Sequence, residues 1–282
     1  MKRCLLFAFG LAVARPALAL DKQGSAHGGE VDTRTGFGLS GSLMVGVSVY
    51  NKTYAARPDN TGLALMRYAG HLDVDILGPH LSIPIDVNMF TDRTQEGVKK
   101  LRPSELDLIG GLTSTWALGP GALEMGARYE SDRSVDVSGP VQKYADARAR
   151  YLFSLAAVCP GIRSALKEGD LRGWGTLGWF FYNPSYFARP DNTGKALLRY
   201  GLHLELSGLG DRFAVGFDAT MFTDRLAPNP ARPSELDLTP ELIFRHRDFE
   251  LHVAYERDMP VDRGGLVQHF VYLLGAWSFT AL

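Results

Sequence analysis

The sequence predicts an all-β, antiparallel chain of about twelve strands, arranged as two six-strand copies. Three observations carry that expectation: an ordered internal repeat, an apolar/polar alternation of period two, and connections that are long and short in turn.

The repeat comes first because it divides the chain. "ARPDNTG" occurs at 56–62 and 188–194, "MFTDR" at 89–93 and 221–225, and "RPSELDL" at 102–108 and 232–238. "ALMRYAGHLDV" (64–74) matches "ALLRYGLHLEL" (196–206), and "YESD" (129–132) matches "YERD" (255–258). "VDVSGPVQ" (135–142) matches "VDRGGLVQ" (261–268). The order is the same throughout, and the offset drifts only from 132 to 126 residues. The period is far longer than that of a solenoid unit, so each copy is a half-structure of several elements.

The strands of the first copy are expected near 37–50, 64–77, 81–92, 104–118, 122–133 and 142–157. The first is a less clean run. The second sets Met66, Tyr68, Gly70, Leu72, Val74 and Ile76 against Arg67, His71, Asp73 and Asp75. In the third, Ile83, Ile85, Val87 and Met89 oppose Ser82, Asp86 and Asn88. The fourth and sixth alternate less cleanly. In the fifth, Leu123, Met125, Ala127 and Tyr129 oppose Glu124, Arg128, Glu130 and Asp132. Successive strand side chains point to opposite faces, so each of these strands has one apolar and one polar face.

The second copy repeats the scheme near 173–183, 196–207, 212–224, 234–246, 249–258 and 267–280. Its second strand sets Leu198, Tyr200, Leu202 and Leu204 against Arg199, His203 and Glu205. Its third sets Phe213, Val215, Phe217 and Met221 against Gly216, Asp218 and Thr220, and its fifth sets Leu251, Val253 and Tyr255 against Glu250, His252, Glu256 and Asp258. The last strand carries Val271, Leu273, Trp277 and Phe279 on one parity. Connections such as "DRTQEGVKKLRP" and "DRLAPNPARP" are long, whereas "GPH", "GPG" and "RD" are tight. One end of the sheet therefore has turns and the other has loops.

Residues 1–19 read as a signal peptide: Lys2 and Arg3, an apolar run from Leu5 to Val13, and Ala17-Leu18-Ala19 as a cleavage site. Removing them takes Lys2, Arg3 and Arg15 and no acid, so the formal charge moves from -1 to -4. That balance points away from nucleic acid as a partner. Cys159 is then left alone, so no intrachain disulfide is expected. The mature chain divides into a periplasmic N-terminal segment (20–36), a first half-barrel (37–157), a periplasmic connection (158–172) and a second half-barrel (173–282).

On these features the chain resembles bacterial outer-membrane β-barrels, which have even strand number, short periplasmic turns, longer outer loops and apolar-out, polar-in alternation. The resemblance covers nearly the whole mature chain and implies a porin-like transmembrane barrel in the bacterial outer membrane. It implies contact with membrane lipid, and a closing strand that assembly machinery reads. The competing expectation is an exported soluble barrel or sandwich with its apolar parity turned to a core. Against that, the polar parity carries acids, Arg, His and small residues, with almost no Lys.

In such a barrel, Arg67, His71, Asp73, Asp86, Arg128, Arg199, His203, Glu205, Asp218 and His252 line the lumen. The repeated motifs fall at the long-loop end. There Arg57, Asp92, Arg102, Glu105, Asp107 and Glu130 are expected to form a rim cluster with Asp132. Arg189, Asp224, Arg232, Glu235, Asp237 and Glu256 should form a second with Asp258. Arg–carboxylate pairs could seal the rim. Alternatively, clustered carboxylates are hard ligands suited to calcium, although no calcium-loop spacing is present. No other cofactor is expected.

The leading functional expectation is a small channel or solute- or cation-binding barrel with an acidic polar lumen. Two alternatives stand beside it: an outer-membrane lipid-modifying enzyme, and a plugged structural or adhesion barrel. Ser104 and Ser234 precede Glu with no elbow motif, and no Ser–His pairing can be read, so no catalytic residue is assigned.

Overall fold

A computed structural model describes residues 36–50, 64–78, 80–92, 102–135, 141–155, 170–182, 196–209, 212–224, 232–261 and 267–281. Twelve strands account for nearly all of them. They are β1 (Gly38–Tyr50), β2 (Ala64–Asp75), β3 (Ser82–Asp92), β4 (Arg102–Leu118), β5 (Gly121–Ser134) and β6 (Gln142–Ser154). Then follow β7 (Leu171–Tyr182), β8 (Ala196–Leu206), β9 (Phe213–Asp224), β10 (Arg232–His246), β11 (Phe249–Pro260) and β12 (Gln268–Thr280). Each strand pairs antiparallel with its sequence neighbours, and β1 pairs with β12 from Ser40↔Thr280 to Tyr50↔Phe270. The sheet thus closes, and no strand keeps an unpaired edge.

The tight turns fix register. Leu118 pairs with Gly121, leaving Gly119 and Pro120 as the turn, and Gly119 takes φ 58°. That left-handed value suits a residue without Cβ. His246 pairs with Phe249 around Arg247, which adopts φ 55° despite its side chain.

Burial is inverted relative to a water-soluble barrel. His252 is 0% exposed, whereas Val253 beside it is 44% exposed. Leu43, Leu112, Met125, Trp179, Leu242, Leu273 and Trp277 all lie on the exposed outer parity. Arg67, Asp86, Arg128, Asp146, Glu205 and Glu256 are buried on the inner one. The soluble alternative required an apolar interior, and the charged interior contradicts it. One inner strip is apolar: Met44, Leu274 and Ala276 pack together with Ala69 and Tyr272.

"RPSELDL" does not open its strand as a turn. Phe90 pairs with Glu105 and Thr91 with Pro103, so Ser104 is an extra residue, a β-bulge inside the ladder. The same shift between Pro233 and Glu235 leaves Ser234 extra. Proline has no N–H to give the ladder, which is why a bulge suits these positions. "MFTDR" extends the ladder on the other side of β3 and β9. Thr91 Oγ1 accepts from the Met66 N–H at 3.0 Å, and Thr223 Oγ1 accepts from the Leu198 N–H at 3.0 Å. The β2–β3 and β8–β9 ladders end at Phe90 and Phe222, and each threonine side chain takes over one step beyond.

Candidate functional site

The inward parity of the strands builds a charged interior in layers. Across β2 and β3, His71 lies in register with Asp86. Its Nδ1 is 2.6 Å from Asp86 Oδ1, and its Nε2 is 2.8 Å from Asp73 Oδ2. Across β8 and β9 the equivalent His203 is 2.9 Å from Asp218 Oδ1. The second flank of His203 is different: its ring stacks on Trp174, with centroids 3.9 Å apart.

The residue matching Asp73 is Glu205, and it has other partners. Arg172 donates to Glu205 Oε1 from Nη2 at 2.6 Å and Nε at 3.0 Å. Arg245 donates to both Glu205 oxygens, at 2.9 and 2.7 Å, although it stands two strands away. On β9, Gly216 lies in register with Glu205 on one side and with Glu241 on the other. Arg245 Nε also donates to Glu250 at 2.6 Å. Glu250 and Glu241 flank His252 at 3.1 and 2.8 Å. A continuous ion-pair chain therefore runs from β7 to β11 at the tight-turn end. In a low-dielectric interior such charges are tolerable only when paired and hydrogen-bonded.

The β5–β6 wall is richer in arginine. Arg128 Nε donates to Asp146 at 3.0 Å, and Arg150 Nη1 donates to Glu124 at 3.2 Å. Arg148 is buried between them. Higher in the barrel, Arg67 donates to Asn88 Oδ1 at 2.7 Å and lies over Phe90. Arg199 sits between the Phe180 and Phe222 rings, at 4.0 and 4.7 Å. Acids nevertheless outnumber arginines among the buried charged side chains.

At the long-loop end, Asp107, Glu130 and Asp132 come together, as do Asp237, Glu256 and Asp258. β4–β5 and β10–β11 lie on opposite sides of the closed strand order. Glu105 and Glu235 are half-buried beside the bulges. Asp92 and Arg102 pair in backbone register, as do Asp224 and Arg232, but their side chains lie outside the described residues. Arg57 and Arg189 also lie outside them.

Reading the sequence alone missed Asp146, Arg148, Arg150, Arg172, Glu241, Arg245 and Trp174. The stretch "DARAR" at 146–150 alternates by two, and that signal was available. Trp174 carries no signal, since the matching Ser42 in the first copy is small.

No family model matches the chain, and no curated protein matches it. Solved structures do. An outer membrane channel from Pseudomonas putida F1 is 11% identical with TM-score 0.52, covering 89% of this chain and 98% of its own. The KdgM porin in complex with disordered oligogalacturonate is 10% identical with TM-score 0.48, covering 84% of this chain and 99% of its own. The NanC porin is 9% identical with TM-score 0.48, covering 83% and 98%. At these identities the likeness to the P. putida channel is one of fold: a closed antiparallel barrel.

Proposed function

We propose that this chain is a bacterial outer-membrane channel barrel whose acid-rich interior passes small solutes and favours cations. One observation carries the reading: the barrel closes with its apolar parity exposed outside and its charged parity buried within. Lipid is the solvent that fits such an outer face, and only a closed sheet satisfies its backbone there. The P. putida channel shares this fold over nearly its whole length, which supports the reading.

In this reading the tight turns face the periplasm and the long connections face outward. The outward Val271, Leu273, Trp277 and Phe279 of β12 form the face that assembly machinery would read. The two halves are duplicated copies, as paired features such as the Thr91 and Thr223 contacts suggest. A second reading, a plugged structural barrel, is favoured by how completely the inner side chains exclude water: Glu256, Thr220 and His252 are each 2% exposed or less.

The test is conductance of the refolded chain in planar bilayers under a KCl gradient. Discrete current steps with a cation-selective reversal potential are expected. Anion-selective steps overturn the acidic-lumen reading. A silent bilayer from a correctly folded barrel overturns the channel and supports the plugged one.

A further inference from the structure

The two acid triads at the long-loop end each bring three carboxylates together. Asp107 and Asp132 stand directly opposite each other across β4 and β5, and Asp237 and Asp258 do so across β10 and β11. Like charges in directly opposed positions are destabilising. Glu130 and Glu256 add a third carboxylate to each group. One carboxylate oxygen from each of the three residues lies within 4.8 Å of the other two, in both triads.

A second observation concerns the glutamates themselves. Glu256 is 2% exposed and Glu130 is 8% exposed. Yet Glu256 Oε1 and Glu130 Oε2 are buried with no hydrogen-bond partner among the described residues, as is Asp132 Oδ1. A buried acceptor left without a donor costs about 1–3 kcal/mol, and more when charged. Native structures tolerate few such atoms without an unseen partner. Glu130 and Glu256 are also hydrogen-bonded to Asp132 and Asp258.

We propose that each triad is a binding site for a hard divalent cation, of which calcium is the best-suited type. Three carboxylates offer up to six oxygens, matching the oxygen-rich, geometrically tolerant shell that calcium accepts. The two sites differ in strength. Arg128 places a positive charge beside Glu130, whereas the strongest charges around Glu256 are those of Asp258, Asp237 and Asp218. The β10–β11 site is therefore the tighter of the two. Together they would clamp opposite sides of the barrel where its long connections begin.

This inference does not rest on the channel reading, and its test needs no current. The purified barrel in detergent micelles is titrated with CaCl2 by calorimetry. MgCl2, and NaCl at matched ionic strength, serve as comparators. Two binding events are expected. The tighter event is lost in Glu256→Gln and the weaker in Glu130→Gln, while the melting temperature of each apo variant is kept or raised. Calcium should also raise the melting temperature of wild type but not of the double variant. Three results would each overturn the proposal: no calcium heat in a folded wild-type barrel, a response that NaCl reproduces, or a response that survives in the double variant. Stabilisation by acid alone, with no calcium response, would mean that the triads hold protons only, and would overturn it too.

Discussion

Glu205→Gln is the most informative single change in the interior network. Glu205 accepts four hydrogen bonds, two from Arg172 and two from Arg245. Gln keeps the shape but removes the charge, and it turns an NH2 group toward one of two guanidinium groups. Breaking a buried ion pair by removing one partner costs about 3–5 kcal/mol. Two facts place this case at the low end. The Arg172 and Arg245 side chains retain 22% and 26% exposure, so water can solvate part of what is lost. Arg245 also keeps Glu250 at 2.6 Å. A loss of about 3 kcal/mol is expected, read from urea unfolding of the barrel in lipid micelles by tryptophan fluorescence. Combining Glu205→Gln with Arg172→Met should recover part of the loss, because one unpaired guanidinium is then gone. A Glu205→Gln barrel that unfolds within about 0.5 kcal/mol of wild type, the scatter of ordinary surface changes, would refute the claim that this network holds the tight-turn end.

Three further outcomes follow from the same geometry. Thr91→Val combined with Thr223→Val leaves two backbone N–H groups without their side-chain acceptors, and should cost about 1–3 kcal/mol per site in the same unfolding assay. Gly173→Ala should impair assembly, measured as the heat-modifiable fraction on a gel, because a Cβ there collides with the backbone carbonyl of His203. Leu273→Arg, on the exposed parity midway along β12, should destabilise the membrane-inserted barrel by roughly 2–4 kcal/mol, whereas Leu273→Ala should cost much less.

The strands were legible because period two is local. All twelve observed spans start and end within three residues of those read from alternation and connection length. Much of the pairing was legible as well. In a meander, a two-residue turn fixes the register of its strands, so Asp237 against Asp258 follows from "RD" alone. "GPH" misleads by one residue: a three-residue connection would set His71 against Val87, whereas the ladder begins at Asp75↔Ser82 and sets His71 against Asp86. Arg128 against Asp146, and Glu124 against Arg150, do not follow from a turn, because a long connection joins β5 to β6. The Glu205–Arg245 contact does not follow, because it skips a strand and joins residues that share no register position on β9. Nor could the sequence show that "RPSELDL" bulges. Pro103 and Pro233 read equally well as turn residues, and only the pairs beyond the bulge, Thr91↔Pro103 with Asp92↔Arg102 and Thr223↔Pro233 with Asp224↔Arg232, reveal that the ladder continues. The rim clusters were legible in part. The acids on adjacent strands gather as their repeat positions imply, while the place of Arg57 and Arg189 lies outside the described residues.

The most direct test of a membrane-spanning barrel with its charged face inward is a spin-label scan of β12 in lipid vesicles. Single cysteines replace residues 270 to 277 in a background with both Cys4 and Cys159 changed to Ser, and collisions are measured with oxygen, which concentrates in lipid, and with a water-soluble nickel complex. The account predicts a period of two. Oxygen accessibility should peak at Val271, Leu273 and Trp277 and fall at Phe270, Leu274 and Ala276, following their exposed and buried parities. A reversed phase, or no alternation across these positions, would contradict it.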